Sequence, residues 1–222
     1  MKKIIRLVMP MRRLIFAAAV IPGVIFLSGC MNTNITNIAS LGKNIVCFGD
    51  SITQGFGADP KDAYPAHLAK LISIPVVNSG IEGDTSEGAL KRIKPDVLDR
   101  APLLVIVELG ANDFLTKIPM EYTRRNLEEI IVQIQKQGAM VALADVSNAH
   151  FMTEYGPMFK SLCRQYKAIY IPDLLGGILA NPGLKSDYFH PNAAGYKIIS
   201  QRVYRTVLPC VNQNTILRRF KR

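Results

Sequence analysis

The sequence predicts an α/β domain in which a parallel sheet carries helices on both faces. Five short apolar runs are rich in Val and Ile and are continuous rather than alternating, which is typical of strands buried on both faces. Amphipathic stretches of 11 to 17 residues separate these runs, and strands that alternate with helices favour a parallel sheet. A chain of 222 residues, 49% of them hydrophobic, is long enough to bury one ordinary core.

The predicted elements follow one another along the chain without an internal repeat. The strands are expected at residues 44–48, 75–78, 103–109, 140–146 and 168–172. The helices are expected at residues 63–73, 86–100, 121–137, 154–166 and 192–208. Gly138 stands where a helix C-cap is expected, and Pro191 stands where a helix begins. In such a sheet, binding sites form at the carboxyl ends of the strands.

The N-terminus has the pattern of an export signal. Residues 1–13 are basic and residues 14–27 form a 14-residue apolar run, shorter than the roughly 20 residues that a membrane span needs. The ending Leu27-Ser28-Gly29-Cys30 resembles a bacterial lipobox, which implies lipidation of Cys30 as the first mature residue. Cleavage without lipidation and an uncleaved anchor are the alternatives. Asn32 is not the Asp that the lipoprotein resemblance associates with inner-membrane retention, so we expect an outer-membrane protein facing the periplasm.

These features divide the chain into four parts. Residues 1–29 are the expected signal peptide, and residues 30–42 the lipidated cysteine with a polar, flexible tether to the domain. Residues 43–210 form the expected folded domain, and residues 211–222 a basic C-terminal tail.

The net charge of +10 comes mainly from the two ends of the chain. Five basic residues precede residue 30, and four more lie within the last five residues, so the rest is nearly neutral. This distribution argues against a nucleic-acid-binding protein. The basic tail is either a frayed, solubilising end or a contact with an anionic surface such as lipid.

The four cysteines do not form a metal-binding pattern. Cys30 is assigned to the lipid, and Cys47 lies in an apolar strand, where it is expected to behave as a small buried hydrophobe. Cys163 and Cys210 lie on separate predicted helices. An exported protein could join them in a disulfide, and the sequence leaves that pairing open.

Four polar clusters map to the carboxyl edge of the predicted sheet. They are residues 49–53 after the first strand, 78–85 after the second, 110–113 after the third, and 187–191 before the last helix. Acyl transfer requires a nucleophile, a base, a group that orients the base, and donors for the developing oxyanion. The four clusters contain residues suited to each role.

The candidate catalytic residues are Ser51, His190 and Asp187. Ser51 follows a strand, which exposes its hydroxyl as a nucleophile, and His190 can accept the serine proton. Asp187 stands three residues before the histidine and can fix its tautomer. The oxyanion donors are expected to be the backbone N–H groups of Ser51 and Gly83 and the side-chain amide of Asn112.

At these residues the chain resembles the GDSL/SGNH hydrolases. The matching blocks, in family order, are Gly49-Asp50-Ser51, Gly83, Gly110-Ala111-Asn112-Asp113 and the D-x-x-H of Asp187 to His190. The stretches 107–113 and 83–86 are most similar to the multifunctional thioesterase, arylesterase and lysophospholipase branch. The resemblance implies a flavodoxin-like three-layer α/β/α fold with strand order 2-1-3-4-5, no metal or other cofactor, and structural roles for Asp50 and Asp113. Glu82 departs from the small residue common in that branch.

Other hydrolase and nucleotide-binding motifs are absent from the sequence. It contains no G-x-S-x-G, no H-E-x-x-H and no P-loop, which argues against an α/β-hydrolase, a zinc protease and a nucleotide-binding enzyme.

The loop after the fourth strand either lines an acyl pocket or packs as an ordinary loop. The candidate pocket residues are Phe114, His150, Phe151, Met152 and Tyr155.

The sequence thus predicts a monomeric, membrane-anchored serine esterase that hydrolyses carboxylic esters or thioesters through an acyl-enzyme. Fatty-acyl esters such as lysophospholipids are the expected substrates. Removal of O-acetyl groups from an envelope polysaccharide is one alternative. Another is a lipoprotein that binds lipids or glycans without catalysis, although none of the catalytic residues is missing.

Overall fold

A five-stranded parallel sheet forms the centre of the protein. The computed structural model describes residues 34–147 and 152–220. The strands are β1 (Asn44–Gly49), β2 (Val76–Gly80), β3 (Pro102–Glu108), β4 (Met140–Ala144) and β5 (Ile169–Ile171). Their order is β2-β1-β3-β4-β5, and every neighbouring pair is parallel. The predicted fold class and strand order are confirmed.

The described residues form helices on both faces of this sheet. They are α1 (Ser51–Gln54), α2 (Tyr64–Leu71), α3 (Ser86–Asp96), α4 (Ala111–Leu115), α5 (Met120–Lys136), α6 (Tyr155–Tyr166) and α7 (Ala193–Arg219). Short 3-10 turns occur at Pro60–Asp62, Leu98–Arg100 and Pro182–Leu184. Helix α2 packs against α7 on one face, while α3, α5 and α6 form a row on the other. The two short helices, α1 and α4, directly follow β1 and β3 and were not among the predicted elements.

The core lies on both sides of the central strands. Every residue of β3 and β4 is buried, and so is every residue of β1 after Asn44. Continuous burial leaves no solvent face to mark with polar residues, which is why these strands read as unbroken apolar runs. Strand β2 lies at the edge of the sheet and is only partly buried.

The C-terminal helix is longer than the sequence predicts. Helix α7 continues through Pro209 to Arg219, a length of 27 residues, whereas the predicted helix ends at residue 208. Its buried side chains recur at helical spacing on both sides of the proline, at Val203, Val207, Val211 and Asn214. Burial of this face stabilises the helix beyond the proline, so residues 211–219 are folded rather than a frayed tail.

The expected tether is also partly folded, because residues 34–42 pack on the body of the protein. The buried amide of Asn214 donates to the carbonyl oxygens of Ile38 and Ser40 over 2.8 and 2.9 Å. Thr36 Oγ1 donates to the Tyr166 carbonyl oxygen over 3.0 Å. These contacts join polar side chains to backbone groups. The pattern of hydrophobic residues does not predict such contacts, so the sequence of this segment is typical of a polar linker.

The described cysteines are all free and buried. Cys47 lies in β1, Cys163 in α6 and Cys210 in α7, and no disulfide joins the latter two. Burial raises the pKa of the Cys47 and Cys163 thiols to about 12. Cys30 and the predicted signal peptide lie outside the described residues. Within residues 34–147 and 152–220, no helix combines the length and apolar composition required to cross a membrane.

Candidate active site

The four polar clusters meet at the carboxyl edge of the sheet, as predicted. Residues from three of them line a single cavity, namely Ser51 after β1, Gly83 after β2 and Asn112 after β3. The fourth cluster contributes His190 from the loop before α7. Neighbouring parallel strands place their carboxyl ends at one edge, so residues far apart in the sequence become neighbours there.

Ser51, His190 and Asp187 form a continuous hydrogen-bonded row. Ser51 Oγ lies 3.0 Å from His190 Nε2, and His190 Nδ1 lies 2.8 Å from Asp187 Oδ2. The Phe56 ring packs on the imidazole with ring centroids 4.5 Å apart. Tyr196 in α7 donates its hydroxyl to the Phe56 carbonyl oxygen over 2.7 Å, which holds the backbone that carries this ring. The histidine is therefore held by both a carboxylate and a packed aromatic ring.

The residues of the D-x-x-H motif form a hydrogen-bonded turn. Asp187 Oδ1 accepts from the backbone N–H groups of Phe189 and His190 over 2.7 and 2.8 Å, so the carboxylate folds back beside its own histidine. The Ser186 N–H then bonds to the His190 carbonyl oxygen over 2.9 Å. Partial burial raises the pKa of Asp187, but the hydrogen bonds from the His190 side chain and the two backbone groups outweigh it and lower that pKa overall. Asp187 is thus ionised at neutral pH.

The turn after β1 presents Ser51 through a capped helical turn. Asp50 Oδ1 accepts from the Ile52 N–H over 3.0 Å, which starts α1 at the serine. Gly49 precedes this cap at the end of β1, where it pairs closely with Glu108 of β3. A Cβ at that position would lie 2.4 Å from the Glu108 carbonyl oxygen, so only glycine fits.

The candidate oxyanion donors lie beside Ser51. Gly83 has a φ of +73°, a left-handed conformation that glycine adopts without strain. Asn112 Nδ2 donates to Asp50 Oδ2 over 3.1 Å and to the Asp84 carbonyl oxygen over 3.0 Å. These two bonds engage both amide hydrogens and fix the amide at the cavity wall.

Two further side chains brace the loops around the site. Arg92 on α3 bonds to Asp84 Oδ2 over 2.7 Å and to the Gly49 carbonyl oxygen over 3.0 Å, and so ties the loop after β2 to the end of β1. Asp113 accepts from the Ser86 N–H over 2.8 Å, which holds the start of α3 against α4. The structural role expected for Asp113 fits these contacts. Arg92 stands on a helix outside every motif, so no signal in the sequence points to its role.

A pair of buried carboxyl groups lies beneath the serine loop. Burial raises the pKa of Asp50 to about 6, and burial with the nearby Asp50 charge raises the pKa of Glu108 well above its ordinary range. Thr53 Oγ1 donates to Glu108 Oε2 over 2.8 Å, and Glu108 Oε1 meets no donor within the described part of the chain. Burial and the neighbouring Asp50 carboxylate both favour the protonated form of Glu108. A glutamate inside an apolar run was the signal that could have revealed it.

The cavity beside Ser51 has a volume of about 250 Å³ and a mainly apolar wall. Its apolar lining consists of Ile52, Ala111, Leu115, Met152, Leu175, Leu179 and Phe189. Of the predicted pocket residues, Met152 lies in this wall. Phe114 and Tyr155 pack edge to face with ring centroids 5.8 Å apart and line a separate shallow depression instead. His150 and Phe151 lie outside the described residues.

Part of this lining is not predictable from the sequence motifs. Leu175 and Leu179 come from the long connection between β5 and α7, where no motif marked them. Glu82 also lies at the wall with an exposed side chain, next to Gly83. Among the described residues, the cavity therefore has an apolar interior and a rim with one exposed carboxylate, that of Glu82.

Comparison with known proteins identifies relatives that match most of this chain and nearly all of their own length. The esterase TesA of Pseudomonas aeruginosa is 26% identical over 196 residues, which cover 83% of this chain and 98% of that protein. A crystal structure of TesA superimposes with a TM-score of 0.70 at 28% identity, covering 75% of this chain and 99% of that one. Thioesterase 1/protease 1/lysophospholipase L1 of Escherichia coli K12 is 25% identical over 189 residues, 82% of this chain and 91% of the relative.

A shorter similarity connects the chain to a lipoprotein. The uncharacterized lipoprotein YqeF of Bacillus subtilis is 33% identical over 110 residues, 43% of this chain and 45% of that protein.

The model of one protein family covers most of the folded domain. This model, that of the GDSL-like lipase/acylhydrolase family, matches residues 47–198, which contain all the residues of the hydrogen-bonded row and the candidate oxyanion donors. The chain therefore belongs to the GDSL-like lipase/acylhydrolase family of carboxylic ester hydrolases.

Proposed function

We propose that this enzyme cleaves esters or thioesters of apolar acyl chains by way of a covalent acyl-serine, with lysophospholipids and aryl esters among its substrates. One observation carries the proposal: Ser51 Oγ is hydrogen-bonded to His190 Nε2 at 3.0 Å beside an apolar cavity. All the groups that the reaction needs come from one chain, so a monomer is sufficient.

Acylation begins when Ser51 Oγ attacks the substrate carbonyl carbon. With its proton on Nδ1, His190 donates to Asp187 and accepts the serine proton on Nε2. The ionised Asp187 stabilises the resulting imidazolium. The imidazolium then returns the proton to the leaving alcohol or thiol, and the acyl group stays on the serine.

The negative charge on the tetrahedral oxygen is stabilised by three donors. The backbone N–H groups of Ser51 and Gly83 supply two, and the Asn112 amide supplies the third. Since both Asn112 hydrogens are bonded to Asp50 and the Asp84 carbonyl oxygen, one of them leaves its partner to reach the oxyanion. Deacylation repeats these steps with water, deprotonated by His190, as the nucleophile.

The size of the cavity limits the acyl chain that it can enclose. Its volume of about 250 Å³ equals that of roughly eight water molecules at ~30 Å³ each. This space suits a short or medium acyl chain, whereas a long chain must leave part of its length outside. We therefore expect the highest specificity for acyl groups of intermediate length.

Hydrolysis of p-nitrophenyl esters from acetyl to palmitoyl tests the proposal. Wild type, Ser51→Ala and Ser73→Ala are compared, since Ser73 is an exposed serine away from the site. We expect activity in wild type and Ser73→Ala with an optimum between the extremes, and a loss of at least about a thousandfold in Ser51→Ala. A serine-directed phosphonate should label Ser51 only.

Equal activity in Ser51→Ala would refute the assigned nucleophile, and an acetyl optimum would favour O-acetyl groups of an envelope polysaccharide. A folded wild type with no activity on any ester would favour a non-catalytic lipid- or glycan-binding lipoprotein.

We also propose that the protein is exported and anchored by a lipid on Cys30, in the outer membrane and facing the periplasm. The lipobox-like ending Leu27-Ser28-Gly29-Cys30 and the partial similarity to a lipoprotein support this. Labelled palmitate should enter the wild type and not Cys30→Ala, and only the wild type should remain in the membrane fraction. Palmitate incorporation into Cys30→Ala would contradict the assignment.

A further inference from the structure

The end of α7 carries exposed apolar side chains, the exposed Arg219 and the half-buried Arg218, none of which the proposed reaction uses. Leu41, Ile216 and Phe220 are 72%, 51% and 85% exposed. Arg218 and Arg219 stand between the latter two in the sequence, and Arg218 Nη1 donates to the Gly42 carbonyl oxygen over 3.0 Å. We call these five residues, Leu41, Ile216, Arg218, Arg219 and Phe220, the basal patch.

The basal patch has one sign of charge. No acidic residue occurs in residues 34–43 or 209–220, and Lys221 and Arg222 follow in the sequence. Arginines at a helix C-terminus also interact favourably with the helix dipole. That role does not account for Phe220 and Leu41, which expose large apolar side chains beside the arginines. Basic and apolar side chains together are the composition of a surface that lies at the headgroup boundary of an anionic bilayer.

The patch lies at the end of the molecule opposite to Ser51. A depression beside Arg218 and Arg219 is lined by Ile74, which precedes β2, and by Leu103 near the start of β3. These residues mark the amino edge of the sheet. Ser51 follows the carboxyl end of β1, whose six residues span about 20 Å.

The chain that precedes the domain arrives at this same end. Asn37 Nδ2 donates to the carbonyl oxygens of Gln135 and Ala139, at the end of α5 and just before β4. Asn34 is four residues after Cys30, a stretch that can span at most about 14 Å. A lipid on Cys30 would therefore hold the amino edge of the sheet within a short distance of a membrane surface.

We propose that the basal patch binds the surface of an anionic phospholipid bilayer and turns the active site away from it. Arg218 and Arg219 contact anionic headgroups, while Phe220 and Leu41 lie at the boundary with the acyl chains. The enzyme then takes its substrate from the aqueous side or from a facing surface and not from the bilayer that holds it. The lipid holds the chain at the membrane, and the patch adds a second contact that sets which way the domain faces.

Vesicle binding by the soluble domain tests the patch separately from the lipid. A chain of residues 31–222 keeps every residue of the described core, which extends from Ile35 to Val211. Its binding is measured by cosedimentation with vesicles of phosphatidylglycerol and phosphatidylcholine, and with vesicles of phosphatidylcholine alone. We compare wild type, the double variant Arg218→Glu/Arg219→Glu, Phe220→Ser, and the charge-matched control Lys61→Glu/Lys91→Glu, whose lysines are exposed and distant from the patch.

We expect wild type and the control to bind the anionic vesicles in a salt-dependent manner. The Arg218→Glu/Arg219→Glu variant should lose binding by about tenfold or more, and Phe220→Ser should bind more weakly than wild type. Hydrolysis of a soluble ester should be equal in all four proteins, which shows that each is folded. Equal binding by the double variant and the control, equal binding of wild type to both vesicle types, or no binding of wild type to anionic vesicles would each overturn the proposal.

Discussion

Asp50 and Glu108 bury their carboxyl groups against each other beneath the loop that carries Ser51. Burial raises the pKa of both groups, and the Asp50 charge raises that of Glu108 further. A carboxyl group with a raised pKa in the folded state stabilises the fold fully below its ordinary pKa. That contribution is lost as the pH rises through the folded-state pKa, which is about 6 for Asp50 and higher for Glu108.

Replacing Glu108 with Gln should therefore make stability less dependent on pH. The amide keeps an acceptor for Thr53 and a donor for Asp50, but it cannot ionise. We expect the free energy of unfolding of Glu108→Gln relative to wild type to rise by about 1 kcal/mol or more between pH 5 and pH 8. Urea denaturation at both pH values measures this, with the exposed Glu121→Gln as the control. A constant difference between Glu108→Gln and wild type would contradict a protonated Glu108.

Asp187→Asn should lower kcat with little effect on the fold. Asparagine keeps an oxygen that can accept from the Phe189 and His190 N–H groups, so the turn survives. Its amide presents a donor where His190 Nδ1 needs an acceptor, and the ring then adopts the wrong tautomer. We expect kcat to fall by about 10³ to 10⁴ with an unchanged circular dichroism spectrum. Activity close to that of wild type would show that another group orients His190.

Gly83→Ala should impair catalysis through the backbone. A Cβ at Gly83 meets nothing within 4 Å, so the cost comes only from the φ of +73°. We expect stability to fall by about 1 kcal/mol and kcat to fall by roughly tenfold or more as the N–H donor moves. Gly138→Ala is a matched control, because Gly138 has a φ of +82° with equally open surroundings but caps α5 away from the site. It should lose similar stability and keep its kcat.

Asn112→Ala should remove one oxyanion donor. We expect kcat to fall by about 10² to 10³ while KM changes little, since the amide acts mainly on the transition state. Asn44→Ala is the control: Asn44 also donates its amide to a backbone carbonyl, that of Arg100, but at the amino edge of the sheet. A fall in kcat that is equal in both variants would mean that Asn112 acts only through the fold.

Asn214→Ala should destabilise the protein without changing its kinetics. The variant loses two hydrogen bonds and leaves the Ile38 and Ser40 carbonyl oxygens unpaired. We expect a loss of about 2 kcal/mol and faster proteolysis within residues 34–42. The exposed Asn212→Ala serves as the control in urea denaturation and limited proteolysis. Unchanged proteolysis of Asn214→Ala would show that this amide does not hold the segment.

The sequence predicts best those features that follow from local pattern. Strand β3 is buried on both faces and so appears as an apolar run, and Asp187 reaches His190 through a turn of only four residues. The features that it does not predict depend on contacts between distant segments. Arg92 bonds to loops that only the folded structure brings near it. Helix α7 continues past Pro209 because residues 34–42 and the sheet pack against its buried face, and this packing offsets the cost of a proline inside the helix. No local pattern distinguishes such residues from ordinary surface or helix-ending positions.

The free, buried cysteines make local opening of this fold measurable. Cys47, Cys163 and Cys210 are unpaired within the described residues, so each keeps a thiol that alkylation can detect once it is exposed. Because only the thiolate reacts readily, the raised pKa of Cys47 and Cys163 protects both sulfurs from alkylation until the surrounding structure opens. The rate at which each thiol is alkylated therefore measures local opening of the structure. Labelling of Cys47 reports opening of the central sheet, and labelling of Cys163 reports release of α6.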